Sequence, residues 1–174
     1  MPEAKLTQGK GGLVPEGEGW FVLNAKEAEW VHSDDFGSGV TFEGDVHFPE
    51  IGFNITVLQP GQPSAMYHEE NQQEGFLVLS GELLLIVEGE ERTMKAWDFF
   101  HCPAGTEHIF VGAGGGPCVY VAFGRRREDE QLRYPVNEVA ARHGASVQEE
   151  TTDPRQAYAP FERPEPGPAS KDLK

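Results

Sequence analysis

The stretch "MYHEENQQEGFLVLSGE", residues 66–82, decides the reading, because it sets a histidine, three glutamates, an asparagine and two glutamines directly before an apolar run. In an extended chain alternate side chains share a face, so His68 and Glu70 point one way and Glu69 the other. Glu74 then opens "EGFLVLSG", where Phe76, Val78 and Ser80 alternate with Leu77 and Leu79. Both faces are largely apolar, the pattern of a strand between two covered surfaces. An ionised carboxylate entering such surroundings costs several kcal/mol unless it is paired or bound to a cation. A metal ion would be such a partner.

A further donor comes from "CPAGTEHIF", residues 102–110. Pro103 and Gly105 set a tight turn, and His108 follows at the start of another strand-like run, where it can be aimed into a barrel mouth without backbone strain.

Outside these stretches the chain bounds its own class. With 174 residues and 38% hydrophobic content it can bury one core, and one domain with tails is expected. Segments near "WFVLNA", "GVTFEGDVHF", "GFNITVLQ", "GFLVLSG", "ELLLIVEG", "ERTMKAWDFFHC", "HIFVGA" and "CVYVAFGR" read as closely spaced strands, so the class is all-β, a sandwich or barrel. "VEGEER" marks a hairpin turn and "GAGGGP" a second turn. The divisions are a flexible segment over 1–19, a barrel over 20–127, a helical extension over 128–160 and a Pro-rich tail over 161–174. Within the extension, "PVNEVAARHG" and "DPRQAYA" read as short helices.

A net charge of -15 argues against nucleic acid and anionic membrane as partners. "GRRRED", residues 124–129, is the one basic cluster, and with acids following at once it reads as a solvated edge. The first dozen residues lack the apolar centre of a signal peptide, and no run approaches the ~20 apolar residues of a membrane span. A soluble, cytoplasmic protein is the expectation. Cys102 and Cys118 are expected as buried free thiols.

At these residues the sequence resembles the cupin superfamily. The family's first motif is matched by Gly61, His68, Glu70, Glu74 and Gly81, with the expected six residues between Glu74 and Gly81. The second is matched by Pro103, Gly105 and His108. Three features depart from the pattern: Glu70 replaces the second histidine, Gly61 lies one residue further from His68, and Trp97 and Gly112 stand where the second motif opens with Gly and closes with Asn. The resemblance implies a double-stranded β-helix, a jelly-roll barrel. It also implies a divalent cation, Zn, Mn, Fe or Ni, held by His68, Glu70, Glu74 and His108. Glu70 could instead lie outside the coordination sphere, with water completing a three-ligand site. Tyr67, His101 and Gln73 neighbour the site in sequence and are candidates to support the ligands or to touch a substrate.

The fold alone does not name a reaction. One reading is a metalloenzyme of dioxygenase or isomerase type acting on a small molecule, and the alternative is a non-catalytic module binding a sugar-like ligand with a structural metal. A metal-free barrel using its carboxylates as acid and base is a third, which two histidines beside two glutamates disfavour. The doubly apolar strands around 76–87 and the family resemblance together suggest a homodimer.

Overall fold

Short apolar stretches punctuated by glycine and proline fold here as antiparallel strands. The computed structural model describes residues 1–173. In chain order its elements are β1 (Lys5–Gln8), β2 (Leu13–Glu16), β3 (Trp30–Ser33), β4 (Gly37–Val40), β5 (Ile51–Leu58), β6 (Glu69–Glu70), β7 (Glu74–Ser80) and β8 (Glu82–Val87). Then come β9 (Glu90–Lys95), β10 (Phe99–Cys102), β11 (His108–Ala113), β12 (Cys118–Arg125), β13 (Leu132–Arg133), α1 (Glu138–Ala141), α2 (Pro154–Ala157) and β14 (Glu165–Gly167).

A seven-stranded sheet runs β10-β7-β12-β5-β4-β3-β14, and a three-stranded sheet runs β11-β8-β9. Phe76 and Val78 of β7 and Tyr120 and Ala122 of β12 meet Leu83 and Leu85 of β8 and Phe110 of β11 in one buried cluster between the sheets. Leu79 instead packs with Trp30, Val40, Val57 and Val119 on the other side of the large sheet. This two-sided burial is what the unbroken apolar run of β7 requires. The class is all-β, as the strand count and spacing predict, and the barrel is the jelly roll that the family resemblance implies.

The turns carry the register. Glu88 and Gly89 are both left-handed, with φ of 49° and 73°, as a two-residue hairpin of the type that matches strand twist demands. β8 and β9 consequently pair from Val87↔Glu90 to Glu82↔Lys95. At Gly81 (φ 77°) a Cβ would lie 2.5 Å from the Pro117 carbonyl oxygen, so both the backbone angle and the close approach require glycine.

Several boundaries differ from the sequence reading. Residues 1–19, read as a flexible segment, include the hairpin β1–β2, with Lys5↔Glu16 to Gln8↔Leu13 in register. "WFVLNA" forms no strand beyond a bridge at Trp20, and "GVTFEGDVHF" contributes only the end of β4. "ERTMKAWDFFHC" is broken into β9 and β10 by a turn at Trp97, whose φ is 75°. The Pro-rich tail supplies β14, which pairs Glu165↔His32 at the edge of the large sheet. Proline is tolerated there because an edge strand need not donate on both sides. The two helices form where the sequence places them, capped by Asn137 and Asp153. Both cysteines are free and buried. Among the described residues no helix is long and apolar enough to cross a membrane.

Candidate metal centre

Two segments forty residues apart are stitched together at their histidines. His68 N–H donates to the His108 carbonyl at 3.2 Å, and His108 N–H donates to the His68 carbonyl at 2.8 Å. The Pro103–Gly105 turn is fastened to the same wall, with Gly105 N–H donating to the Glu70 carbonyl at 2.7 Å. The two imidazole rings therefore face each other, centroids 5.0 Å apart.

Each ring is oriented by a backbone carbonyl. His68 Nδ1 lies 2.7 Å from the Met66 carbonyl oxygen, and His108 Nδ1 lies 3.1 Å from that of Thr106. With Nδ1 protonated toward a carbonyl, each Nε2 is left as a free lone pair, the form a metal ligand needs. The Cys102 thiol also contacts His108 Nδ1 at 3.5 Å.

Glu74 enters from the first residue of β7, and its Oε2 lies 3.5 Å from His108 Nε2. Gly124, paired with Glu74 across the sheet, clears the space: a Cβ there would come within 3.2 Å of Glu74 Cγ. Among the described residues His68, Glu74 and His108 form a group whose donor atoms all lie within 4.8 Å of one another. Glu70 stands beside them, with Oε1 3.7 Å from His68 Nε2, and its other oxygen accepts a 2.6 Å hydrogen bond from Gln72 Nε2. Of the four residues singled out in the sequence, three converge directly and Glu70 lies at the margin.

Electrostatics keeps this cluster short of positive charge. Burial, reinforced by Glu70 and Glu130, pushes the Glu74 carboxyl up to about 8. Burial, reinforced by His68, pushes His108 down to about 3. Each group is thus held neutral near pH 7 where an ion pair might be drawn from proximity alone. Two imidazole nitrogens and one or two carboxylate oxygens form a donor set that fits a divalent transition metal, which would replace the Glu74 proton as the carboxylate's partner.

The cluster sits on the wall of a cavity of about 420 Å³ between the sheets, also lined by Asn54, Thr56, Ser64, Phe76 and Tyr120. This volume lies within the range of small-molecule sites. Tyr120 lines the same wall as Ser64 and Thr56, and Thr56 donates to Asn54 Oδ1 at 3.1 Å. A polar row thus crosses an otherwise aromatic interior.

The three neighbours in sequence lie elsewhere. Tyr67 is turned away by strand alternation and packs with Ile86, Ile109 and Ala140, its hydroxyl accepting from Gly89 N–H at 3.1 Å. His101 and Gln73 are exposed, and Gln73 contributes only its carbonyl, to Arg125 N–H. Gln72, which the sequence reading passed over, is instead the buried partner of Glu70. The alternation that groups His68 with Glu70 continues through Gln72 to Glu74, and that signal was present in the sequence.

Comparison with known proteins agrees with this fold. Residues 54–124 match the cupin domain family. Over 112 residues, 63% of this chain, the sequence is 28% identical to quercetin 2,3-dioxygenase of Bacillus subtilis, and the match covers 29% of that protein. The chain thus spans less than a third of the curated relative's length. The fold resembles that of the polyketide cyclase RemF from Streptomyces resistomycificus (TM-score 0.54, 13% identity, 64% of this chain and 83% of that one). It also resembles KdgF from Halomonas sp. (TM-score 0.51, 22% identity, 64% and 98%). Barrel, motif spacing and family match together place a cupin domain over residues 54–124 of this chain.

Proposed function

We propose that the chain is a metal-dependent cupin enzyme acting on a small molecule, with a divalent cation held by His68, Glu74 and His108 and with Glu70 as the fourth, adjustable carboxylate. The observation that carries this reading is the convergence of those three donor groups within 4.8 Å on the wall of a cavity. A bound cation would supply Lewis acidity to a ligand oxygen. The chain's own contribution is to fix both imidazoles by their Nδ1 contacts, to exclude water with Phe76 and Phe110, and to present the Tyr120 hydroxyl and the Asn54 amide to the ligand. The likeness to a dioxygenase supports redox chemistry as the first activity to assay, with isomerisation second.

Elemental analysis of protein purified without added metal tests the site. About one equivalent of iron, manganese, nickel or zinc per chain is expected, falling to background in H68A and E74Q. Metal content unchanged in either variant sinks the assignment. Oxygen uptake by the iron- or manganese-loaded protein in the presence of small diols and flavonols then separates an enzyme from a binding module, which would show ligand-dependent thermal stabilisation without turnover.

A further inference from the structure

The arginine run at 125–127, which reads in sequence as a solvated edge, opens onto the metal cluster. A second chamber of about 470 Å³ is lined by Glu70, Gln72, Glu74, Arg125, Arg126 and Arg127, and it shares Thr41, Asn54, Glu74 and Ala122 with the barrel cavity. The two spaces therefore meet at Glu74. Backbone bonds from Arg125 N–H to Gln73 and from Arg126 N–H to Glu50 fix this end of β12 at the mouth.

Arg126 is drawn inward. Its side chain lies over Gly52, where a Cβ would come within 3.3 Å of Arg126 Nε. Its Nη2 donates at 3.0 Å to Glu43, whose own carboxylate is anchored by Phe48 N–H at 2.8 Å. A guanidinium has five N–H donors, and this is its one side-chain hydrogen bond among the described residues, so most of the fork remains available. Arg127 is paired with Asp129, whereas Arg125 forms no ion pair among the described residues. With a divalent cation offsetting Glu70 and Glu74, Arg126 answered by Glu43 and Arg127 by Asp129, the chamber leaves Arg125 facing Glu130 and the unused N–H donors of Arg126 turned toward the ligand space. In a chain with 14 Lys and Arg against 29 Asp and Glu, three guanidinium groups at one mouth are a local concentration of anion donors.

We propose that this mouth is an anion subsite: Arg126, with Arg125 beside it, takes the carboxylate or phosphate of a small ligand whose neighbouring oxygens reach the His68–Glu74–His108 cluster. This deepens the metal-centred reading above and rests on it only for the second half of the contact. Planar, forked donors suit both anions, and the Asn54 amide between the chambers can hold a hydroxyl.

Calorimetric titration of the metal-loaded protein with two matched pairs tests this: lactate against lactamide, and glycerol 3-phosphate against glycerol. One anion is expected to bind at least about tenfold tighter than its neutral partner, as a charge-assisted hydrogen bond would give. The favoured pair tells carboxylate from phosphate. R126Q keeps an amide for Glu43 and should remove most of that preference while leaving metal content and the neutral ligand's affinity unchanged; R125Q, outside the Glu43 pair, should reduce it even if R126Q fails to fold. Equal affinity for both members of each pair overturns the proposal. So does an anion preference that survives both variants, because the cation alone then binds the anion. Failure of the metal assignment would appear separately, as absent metal, and in that case the metal-free protein titrated with the same pairs still reads the arginines.

Discussion

Gln72 Nε2 donates to Glu70 at 2.6 Å while the opposite oxygen of Glu70 faces His68 Nε2 at 3.7 Å, so a buried amide sets the position of the fourth acidic group. The other end of that amide, Oε1, is buried with no hydrogen-bond partner among the described residues. A half-satisfied amide contributes little to stability, since the unpaired oxygen cancels much of what the paired nitrogen gains. Its value is in placing Glu70. Q72M, which keeps length and removes both polar atoms, should leave the melting temperature unchanged or raised and weaken metal binding roughly tenfold. Competition with a chromophoric chelator measures the affinity, and an unchanged value would show that Glu70 needs no anchor.

The shifted acid and base give a defined pH dependence. Without metal, Glu74 moves from its ordinary 4.5 up to about 8, so between those values the native state holds a proton that the unfolded chain has lost, and stability falls as pH rises. His108 moves from 6.5 down to about 3, so between those values the unfolded chain holds the extra proton, and stability rises with pH. The two slopes oppose each other from 4.5 to 6.5 and leave a plateau there, with losses below it and from 6.5 toward 8. Metal binding must displace the Glu74 proton, so affinity should climb about tenfold per pH unit over that upper window, and the alkaline loss of stability should vanish on loading. Melting curves with and without metal check both statements. A metal-free melting temperature that is flat or rising from pH 6.5 to 8 contradicts them.

Arg133 ties the segment after the barrel to the strand that carries Glu70. Its guanidinium meets Glu69 at 2.8 Å, Glu107 at 2.7 Å and Glu150 at 3.0 Å, while β13 pairs Arg133↔Glu69 and Leu132↔Glu70. The hydrogen bond from Arg133, helped by its charge, holds the Glu69 carboxyl below its usual range. R133A leaves three carboxylates facing one another without a cation. Because the group is partly exposed, the expected destabilisation is modest, about 1 kcal/mol at low ionic strength, and it shrinks with added salt as the repulsion is screened. Denaturant titrations at two salt concentrations measure it, and a cost that does not change with salt would point to lost packing instead.

What the sequence disclosed and what it hid follow from range. The Glu88–Gly89 turn and the Asn137 and Asp153 caps depend on neighbours a few residues away, and they form where local chemistry puts them. His68, Glu74 and His108 were legible because buried charge at a strand entrance demands a partner. Arg126 was not, because its inward course depends on the missing side chain of Gly52 and on Glu43, both more than seventy residues away. The same reason hid β14: a proline-rich tail becomes an edge strand only when β3 is there to receive it. Tyr67 was a candidate by adjacency alone, and adjacency in a strand means the opposite face.

Gly81 and Trp97 share a left-handed backbone, with φ of 77° and 75°, and substitutions at the two positions should have opposite signs. At Gly81 an added Cβ meets the Pro117 carbonyl oxygen at 2.5 Å, a backbone atom that cannot swing aside. G81A should therefore cost about 2 kcal/mol or more, the combined effect of a disallowed angle and a clash. Trp97 pays the same angular strain with a side chain that is 75% exposed, so little burial is lost when it is removed. Its N–H donates to the Val78 carbonyl at 2.8 Å, a bond that glycine keeps. W97G should stabilise the barrel by about 0.5–1 kcal/mol, the strain relieved outweighing the extra freedom of the unfolded chain. Equilibrium unfolding of the two variants beside the parent tests the pair. A W97G variant less stable than the parent would mean that the indole makes a stabilising contact at that turn large enough to exceed the strain.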